Sequence, residues 1–245
     1  MSGVHWLALF GLILASWSVL YAMSIPPELR MMEQTYGRDF WVSLCTITPD
    51  AAGYIRMVLM WSLMSAAMMA PTVLPALATY DDLSHVSDNV NFAKLVSGYL
   101  AVWLGFSVLA AGVQLILFQA ELIGAFGSSL SAGLSGALLI MAGGYQFSPL
   151  KEACLSKCRQ PMTFFMQHFD EGPWRNGMRL GIVCLGCCWA LMLLAFVGGV
   201  MSVGFMGLAT VIMVLEKLPD LGRFITKPLG GLLLLAGAWT LLNAI

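Results

Sequence analysis

The sequence predicts an all-α fold, a polytopic bundle of about seven transmembrane helices that forms one integral membrane domain over residues 1–245. Of the 245 residues, 59% are hydrophobic and only 10% are charged, whereas a soluble domain is about 45–50% apolar and about 25% charged. The alternating pattern of membrane β-strands is absent. This composition excludes an ordinary soluble enzyme and a disordered chain, and a net charge of -1 gives no reason to expect a nucleic-acid partner.

Apolar segments that approach the ~20 residues needed to cross a bilayer recur along the chain. The first lacks the basic region and cleavage site of a signal peptide, so we expect it to be retained. The fourth is rich in small residues that favour close helix packing. The sixth is the shortest, and a re-entrant hairpin that leaves six spans is the alternative. The predicted spans are Val4–Ser24, Tyr54–Thr79, Lys94–Phe118, Leu130–Phe147, Met178–Val197, Gly204–Leu218 and Leu229–Ala244.

The basic residues indicate how these spans are oriented. With seven spans, nine of the 12 basic residues fall on the side that carries the N-terminus. The positive-inside rule therefore predicts a cytoplasmic N-terminus and an outward C-terminus, in the inner membrane of a bacterium. The lipid bilayer is the first expected partner. The nine residues are Lys94, Lys151, Lys157, Arg159, Arg175, Arg179, Lys217, Arg223 and Lys227.

Five of the six cysteines form two groups, while Cys45 stands alone in an outward segment and is interpreted as an incidental thiol. Cys154 and Cys158 follow the fourth span. The second group lies near the start of the fifth span, where helical geometry places its three thiols within an arc of about 100° and Met192 extends that face by one turn. Both groups are expected at the cytoplasmic membrane edge. The second group consists of Cys184, Cys187 and Cys188.

Converging thiolates are soft ligands, which select Cu(I), Zn(II) or iron–sulfur clusters. Zinc takes four ligands in structural sites, whereas Cu(I) accepts two or three thiolates with thioether help. The sequence therefore predicts a Cu(I) site, with Zn(II) as the alternative metal. Packing of cysteine as a small apolar residue and a disulfide relay are further alternatives, although a cytoplasmic location disfavours stable disulfides. The predicted ligands are Cys154, Cys158, Cys184, Cys187, Cys188 and Met192.

Methionines and a few polar residues in the spans add weaker indications. Four methionines of the second span share a face of about 80°, and core packing is favoured over Cu(I) coordination for them. Glu216 and Lys217 are interpreted as an interfacial pair of mutual counter-ions, and Gln114 as an interhelical hydrogen-bonding residue. No catalytic motif is recognisable, which favours a protein that is not an enzyme. The four methionines are Met57, Met60, Met64 and Met68.

The cysteine-rich stretches resemble a bacterial family of predicted metal-binding integral membrane proteins of unknown function. The likeness covers roughly residues 54–245 and rests on the segments 145–151, 184–192 and 196–201 together with Cys154, Cys158 and Arg159. The segments 68–71, 98–103 and 216–217 fit it as well. The resemblance implies a polytopic helical protein that binds a metal and is sometimes labelled as copper-related. Members often carry His and Asn where this chain has Leu180 and Ser202, so a histidine ligand is not expected.

Three functional hypotheses follow from these patterns. The first is Cu(I) handling, or supply of copper to a membrane cuproenzyme, through the cysteine cluster. The second is an accessory subunit of a membrane enzyme complex with a structural Zn site. The third is a thiol–disulfide electron carrier.

Overall fold

The computed structural model describes residues 3–24, 47–83, 91–124, 127–200, 202–219 and 221–243, which excludes Cys45. Over these residues the all-α prediction is confirmed, since the chain forms helices and a single isolated β-bridge. A 3-10 turn, Phe169–Glu171, joins two of the helices. The helices are α1 Gly3–Ser24, α2 Ala51–Leu83, α3 Phe92–Gln119, α4 Ala132–Tyr145, α5 Pro149–Arg159, α6 Pro161–His168, α7 Pro173–Leu193, α8 Ala195–Gly198, α9 Val203–Lys217 and α10 Gly222–Leu242.

Five helical segments are long and apolar enough to cross a membrane: α1, α2, α3, the continuous run of α7 and α8, and α10. Their outer faces expose large apolar side chains such as Leu7, Leu109 and Leu235, an arrangement that suits lipid and not water. The fourth and sixth predicted spans also form helices, but α4 has 14 residues and α9 has 15. At 1.5 Å per residue both fall short of the ~30 Å hydrocarbon core, so seven crossings stay a prediction.

Glycines bring α3 and α7 into backbone contact. A Cβ built on Gly177 of α7 would lie 2.0 Å from the carbonyl oxygen of Leu95, and one built on Gly98 would lie 2.4 Å from the carbonyl oxygen of Trp174. Only residues without a side chain permit this approach. Gly181 repeats the contact against Val102 one turn further along α7. The same face of α7 then continues into Cys184 and Cys188, so the glycines seat these two cysteines against α3.

Pro71 determines how α1 is attached to α2. Proline has no N–H, so the carbonyl of Ala67, four residues earlier, has no partner within the helix. The indole Nε1 of Trp17 in α1 donates to that oxygen at 3.0 Å. The predicted interhelical role of Gln114 is confirmed as well, because its Oε1 accepts from the indole of Trp61 at 2.6 Å.

Candidate metal centre

Three thiols of α7 form the centre of the site. The sulfur atoms of Cys184, Cys187 and Cys188 all lie within 4.8 Å of one another. Each residue is 1% exposed. The Cys187 and Cys188 sulfurs are 3.2 Å apart, and the Cys187 thiol donates to the carbonyl of Cys184 at 3.0 Å. The helical spacing of the sequence therefore does place three soft ligands together, and they are enclosed in the bundle instead of exposed at its surface.

Three further helices contribute polar groups around Cys184. The Nζ atom of Lys217, at the end of α9, donates to the Cys184 sulfur at 3.0 Å and to the hydroxyl of Thr72 at 2.7 Å. The Tyr99 hydroxyl of α3 lies 3.1 Å from the same sulfur and donates to the carbonyl of Met69 at 3.2 Å. Thr72 also donates to that carbonyl at 2.9 Å. Of the three clustered cysteines, Cys184 is thus the one in contact with these polar side chains.

The two thiols of α5 are arranged differently from each other. Cys158 is half-buried, and its thiol lies near that of Cys187. Cys154, also half-buried, packs on the backbone of α7, where a Cβ on Gly186 would lie 2.6 Å from its sulfur. Burial raises the pKa of the Cys154 thiol, and the Lys157 ammonium partly opposes that shift. The structure therefore brings Cys158 near Cys187 and leaves Cys154 one helical turn away, against Gly186.

Local sequence signals explain why α5 forms next to the cluster. Ser148 caps the helix by accepting from the N–H of Leu150, and Pro149 occupies the first turn, a position where its missing N–H has no consequence. Glu152 in the first turn and two basic residues in the last turn complement the helix dipole. The C-x3-C spacing then places Cys154 and Cys158 on one face, as the sequence predicts.

A buried ionic network fastens α5 to α9. The Lys151 Nζ atom lies 2.9 and 2.8 Å from the two carboxylate oxygens of Glu216 and also donates to the side chain of Gln146. Arg159 at the other end of α5 donates from Nε to the carbonyl oxygen of Glu216 at 3.0 Å. This network holds Cys158 in reach of Cys187.

The structure corrects one sequence prediction here. Glu216 and Lys217 do not form a pair with each other, because the carboxylate of Glu216 binds Lys151 and the ammonium of Lys217 turns towards Cys184. Consecutive residues of a helix point about 100° apart. The predicted pairing was therefore wrong, and helical geometry alone already argues against it. Sequence reasoning also missed Thr72 and Tyr99 as residues of the site. Thr72 is a single polar residue in an apolar segment, and Tyr99 lies in the segment 98–103 that fits the family resemblance but was assigned no role there.

The methionines lie inside the bundle. Met192 is buried on α7 one turn beyond Cys188, at 1% exposure. The four α2 methionines are also buried, at 1–5% exposure. Burial is what the favoured interpretation, core packing, requires of them. Their role as copper ligands stays a prediction for Met57, Met60, Met64 and Met68.

A comparison with protein-family models found that residues 58–240 match PpoB2, a family described as a copper chaperone. The chain belongs to this copper chaperone family. The match spans three quarters of the chain and includes all five clustered cysteines, Lys217, Thr72 and Tyr99. No curated protein and no solved structure matched the chain. The family and the thiol cluster both fit copper handling.

Proposed function

We propose that this member of the copper chaperone family binds Cu(I) as its cargo at the cluster of Cys184, Cys187 and Cys188, within a bacterial inner membrane, and supplies it to a copper-requiring membrane enzyme. The observation that carries the proposal is the meeting of three buried sulfurs within 4.8 Å in a chain of the copper chaperone family. Copper is cargo that arrives and leaves, in contrast to a resident structural ion.

The number of thiols favours Cu(I) over Zn(II). Cu(I) is held well by two or three soft sulfur ligands, and α7 alone supplies three. A structural zinc site takes four ligands. Among the described residues Cys158 is a further thiol close to Cys187, and it lies on a separate helix. A zinc site would therefore need a permanent ligand from α5, whereas a Cu(I) site would not.

Cys158 is suited to moving the ion in or out. The side chain of Cys158 is half-buried, whereas the three α7 thiols are enclosed. Cys158 therefore connects the enclosed cluster with the exposed surface of α5. A Cu(I) ion can pass between thiolates by gaining a third ligand before losing one of its first two. Proximity to Cys187 makes Cys158 the exchange ligand, and Cys154 lies one turn away on the same helix.

The test is a Cu(I) titration of the full chain, purified under reducing conditions in detergent, against a colorimetric Cu(I) chelator. We expect the unaltered protein to bind Cu(I) near stoichiometrically. The variant Cys184→Ser with Cys188→Ser should lose that binding, and the matched control Cys45→Ser should keep it. Unchanged binding in the double variant would overturn the assignment.

The other hypotheses predict different outcomes of the same preparation. Zinc that survives chelation in the purified protein, with no uptake of Cu(I), would favour the structural metal site of a complex subunit. Oxidised Cys184 and Cys187 in thiol-trapping of intact cells would favour the electron carrier.

The role of Cys158 has its own measurement. In Cys158→Ser we expect the equilibrium affinity for Cu(I) to change little, because the three α7 thiols remain. Transfer of Cu(I) from the loaded protein to a competing dithiol should become several-fold slower, as followed by stopped-flow absorbance. Cys45→Ser again serves as the control. Equal transfer rates in the two variants would remove Cys158 from the route.

A further inference from the structure

Lys217 is a buried lysine whose contacts are a hydroxyl and a thiol. It is 8% exposed, and its ammonium donates to Thr72 and to Cys184. Within the part of the chain that the structure describes, it forms no ion pair with a carboxylate. The adjacent acid, Glu216, is already bound to Lys151.

Such a position is unfavourable unless a negative charge is close by. An ammonium removed from water loses several kcal/mol of solvation, which only a well-placed anion offsets. Ionisable residues are rare inside membrane segments, and those that occur usually mark a functional site. The group placed to carry the negative charge is the sulfur of Cys184, 3.0 Å away.

We propose that Lys217 is the fixed counter-ion of the metal site and makes two-thiolate binding of Cu(I) electrically neutral. The inference rests on the proposed function. A Cu(I) ion with two thiolates carries one net negative charge, which the Lys217 ammonium cancels inside the bundle. A divalent ion reaches the same neutrality only with three thiolates. Lys217 thereby sets the number of thiolates that each kind of cation requires for neutrality.

Thr72 gives the counter-ion a fixed direction. Its hydroxyl accepts from Lys217 at 2.7 Å and donates to the carbonyl of Met69 at 2.9 Å, so α2 holds the ammonium from one side. Tyr99 approaches Cys184 from α3. The charge is consequently directed at Cys184, which identifies this cysteine as one of the two thiolates, while Cys187 and Cys188 compete for the second place.

The experiment measures Cu(I) affinity, by chelator competition, for three single-residue variants of the full chain. Lys217→Gln keeps a hydrogen-bond donor and removes the charge, and Lys217→Arg keeps the charge. The matched control is Lys157→Gln, which removes an exposed positive charge beside Cys158 on α5. We expect a loss on the order of tenfold to hundredfold for Lys217→Gln, and changes below threefold for the other two.

A second readout separates a counter-ion from a packing residue. X-ray absorption at the copper edge should report two Cu–S contacts in the unaltered protein and in Lys217→Arg. If Lys217→Gln is not monodisperse after purification, Thr72→Val tests the same contact with a smaller expected loss. Equal affinity of Lys217→Gln and the unaltered protein, or a three-sulfur site in the latter, overturns the inference. Absence of Cu(I) binding by the unaltered protein overturns the proposed function instead.

Discussion

Lys151 and Lys217 are both buried lysines, and they lie in neighbouring networks with different partners. Lys151 is 1% exposed and binds both carboxylate oxygens of Glu216, with Gln146 completing its contacts. Lys217 is the next residue after Glu216 and faces a hydroxyl and a sulfur. Two similar side chains thus join the same segment of α9 to the bundle, one through a complete ion pair and one through a set of metal ligands.

The contrast separates architecture from function. The Lys151–Glu216 pair is neutral by itself, so it fastens α5 to α9 in any state of the protein. Lys217 is neutralised only by what happens at Cys184, so its environment improves when thiolates bind a cation. A buried charge with its own carboxylate indicates a structural role here, whereas a buried charge beside thiols indicates a site.

The largest expected effect belongs to the structural pair. Glu216→Gln leaves Lys151 buried without a carboxylate, which typically costs about 3–5 kcal/mol. We expect a large fall in the thermal midpoint of the purified protein, measured by loss of helical circular dichroism. The matched control is Glu152→Gln, since Glu152 is 61% exposed and lies 3.5 Å from Arg159, a geometry worth less than about 1 kcal/mol. Similar midpoints for the two variants would contradict the structural role of the pair.

Replacing both partners should undo most of that loss. In Lys151→Met with Glu216→Leu no charge remains to be solvated, and apolar replacements of a buried ion pair are often neutral or stabilising. We expect the thermal midpoint to return most of the way from the Glu216→Gln value. A double variant that is less stable than Glu216→Gln would mean that the pair contributes more than charge neutrality, for example through the register of α5.

The sequence contains much of the fold and part of the site. The long apolar segments predict α1, α2, α3, α7 and α10 because helix length and apolar composition are local properties. The three α7 thiols are predicted by the 3.6-residue period alone. The ends of α4 and α9 cannot be predicted in this way, because the apolar pattern does not distinguish a short helix from a full membrane span.

What sequence reasoning could not supply is the direction in which the end of α9 faces. That direction depends on how α9 packs against α2 and α5, and it decides that Glu216 meets Lys151 while Lys217 meets Cys184. Thr72 enters the site through the packing of α9 on α2, and Tyr99 enters it through the packing of α3 on α7. Cys154 and Cys158 share one helix face in the sequence pattern, yet only the tertiary structure tells that Cys158 reaches Cys187 and Cys154 meets Gly186.

A smaller effect of opposite sign is expected at the functional lysine. Lys217→Leu removes a buried ammonium that has no carboxylate among the described residues, and leucine fills similar space. Without metal we expect unchanged stability or a gain of up to about 2 kcal/mol, read from the same thermal midpoint. Added Cu(I) should then stabilise the variant less than it stabilises the unaltered protein. A loss of thermal stability in the metal-free variant as large as that of Glu216→Gln would contradict the proposed difference between the two lysines.

The smallest effect is expected at the hydroxyl that directs Lys217. Thr72→Val preserves the side-chain shape and removes the acceptor of the 2.7 Å contact, so the ammonium stays in place but loses its orientation. We expect a two- to fivefold loss of Cu(I) affinity by chelator competition, with metal-free stability within about 1 kcal/mol of the unaltered protein. Thr79→Val is the matched control, because Thr79 lies on the same helix and donates to the carbonyl of Pro75 away from the site. Thr72→Ser keeps the hydroxyl and should restore the affinity, whereas equal affinities for Thr72→Val and Thr79→Val would show that Lys217 needs no support from α2.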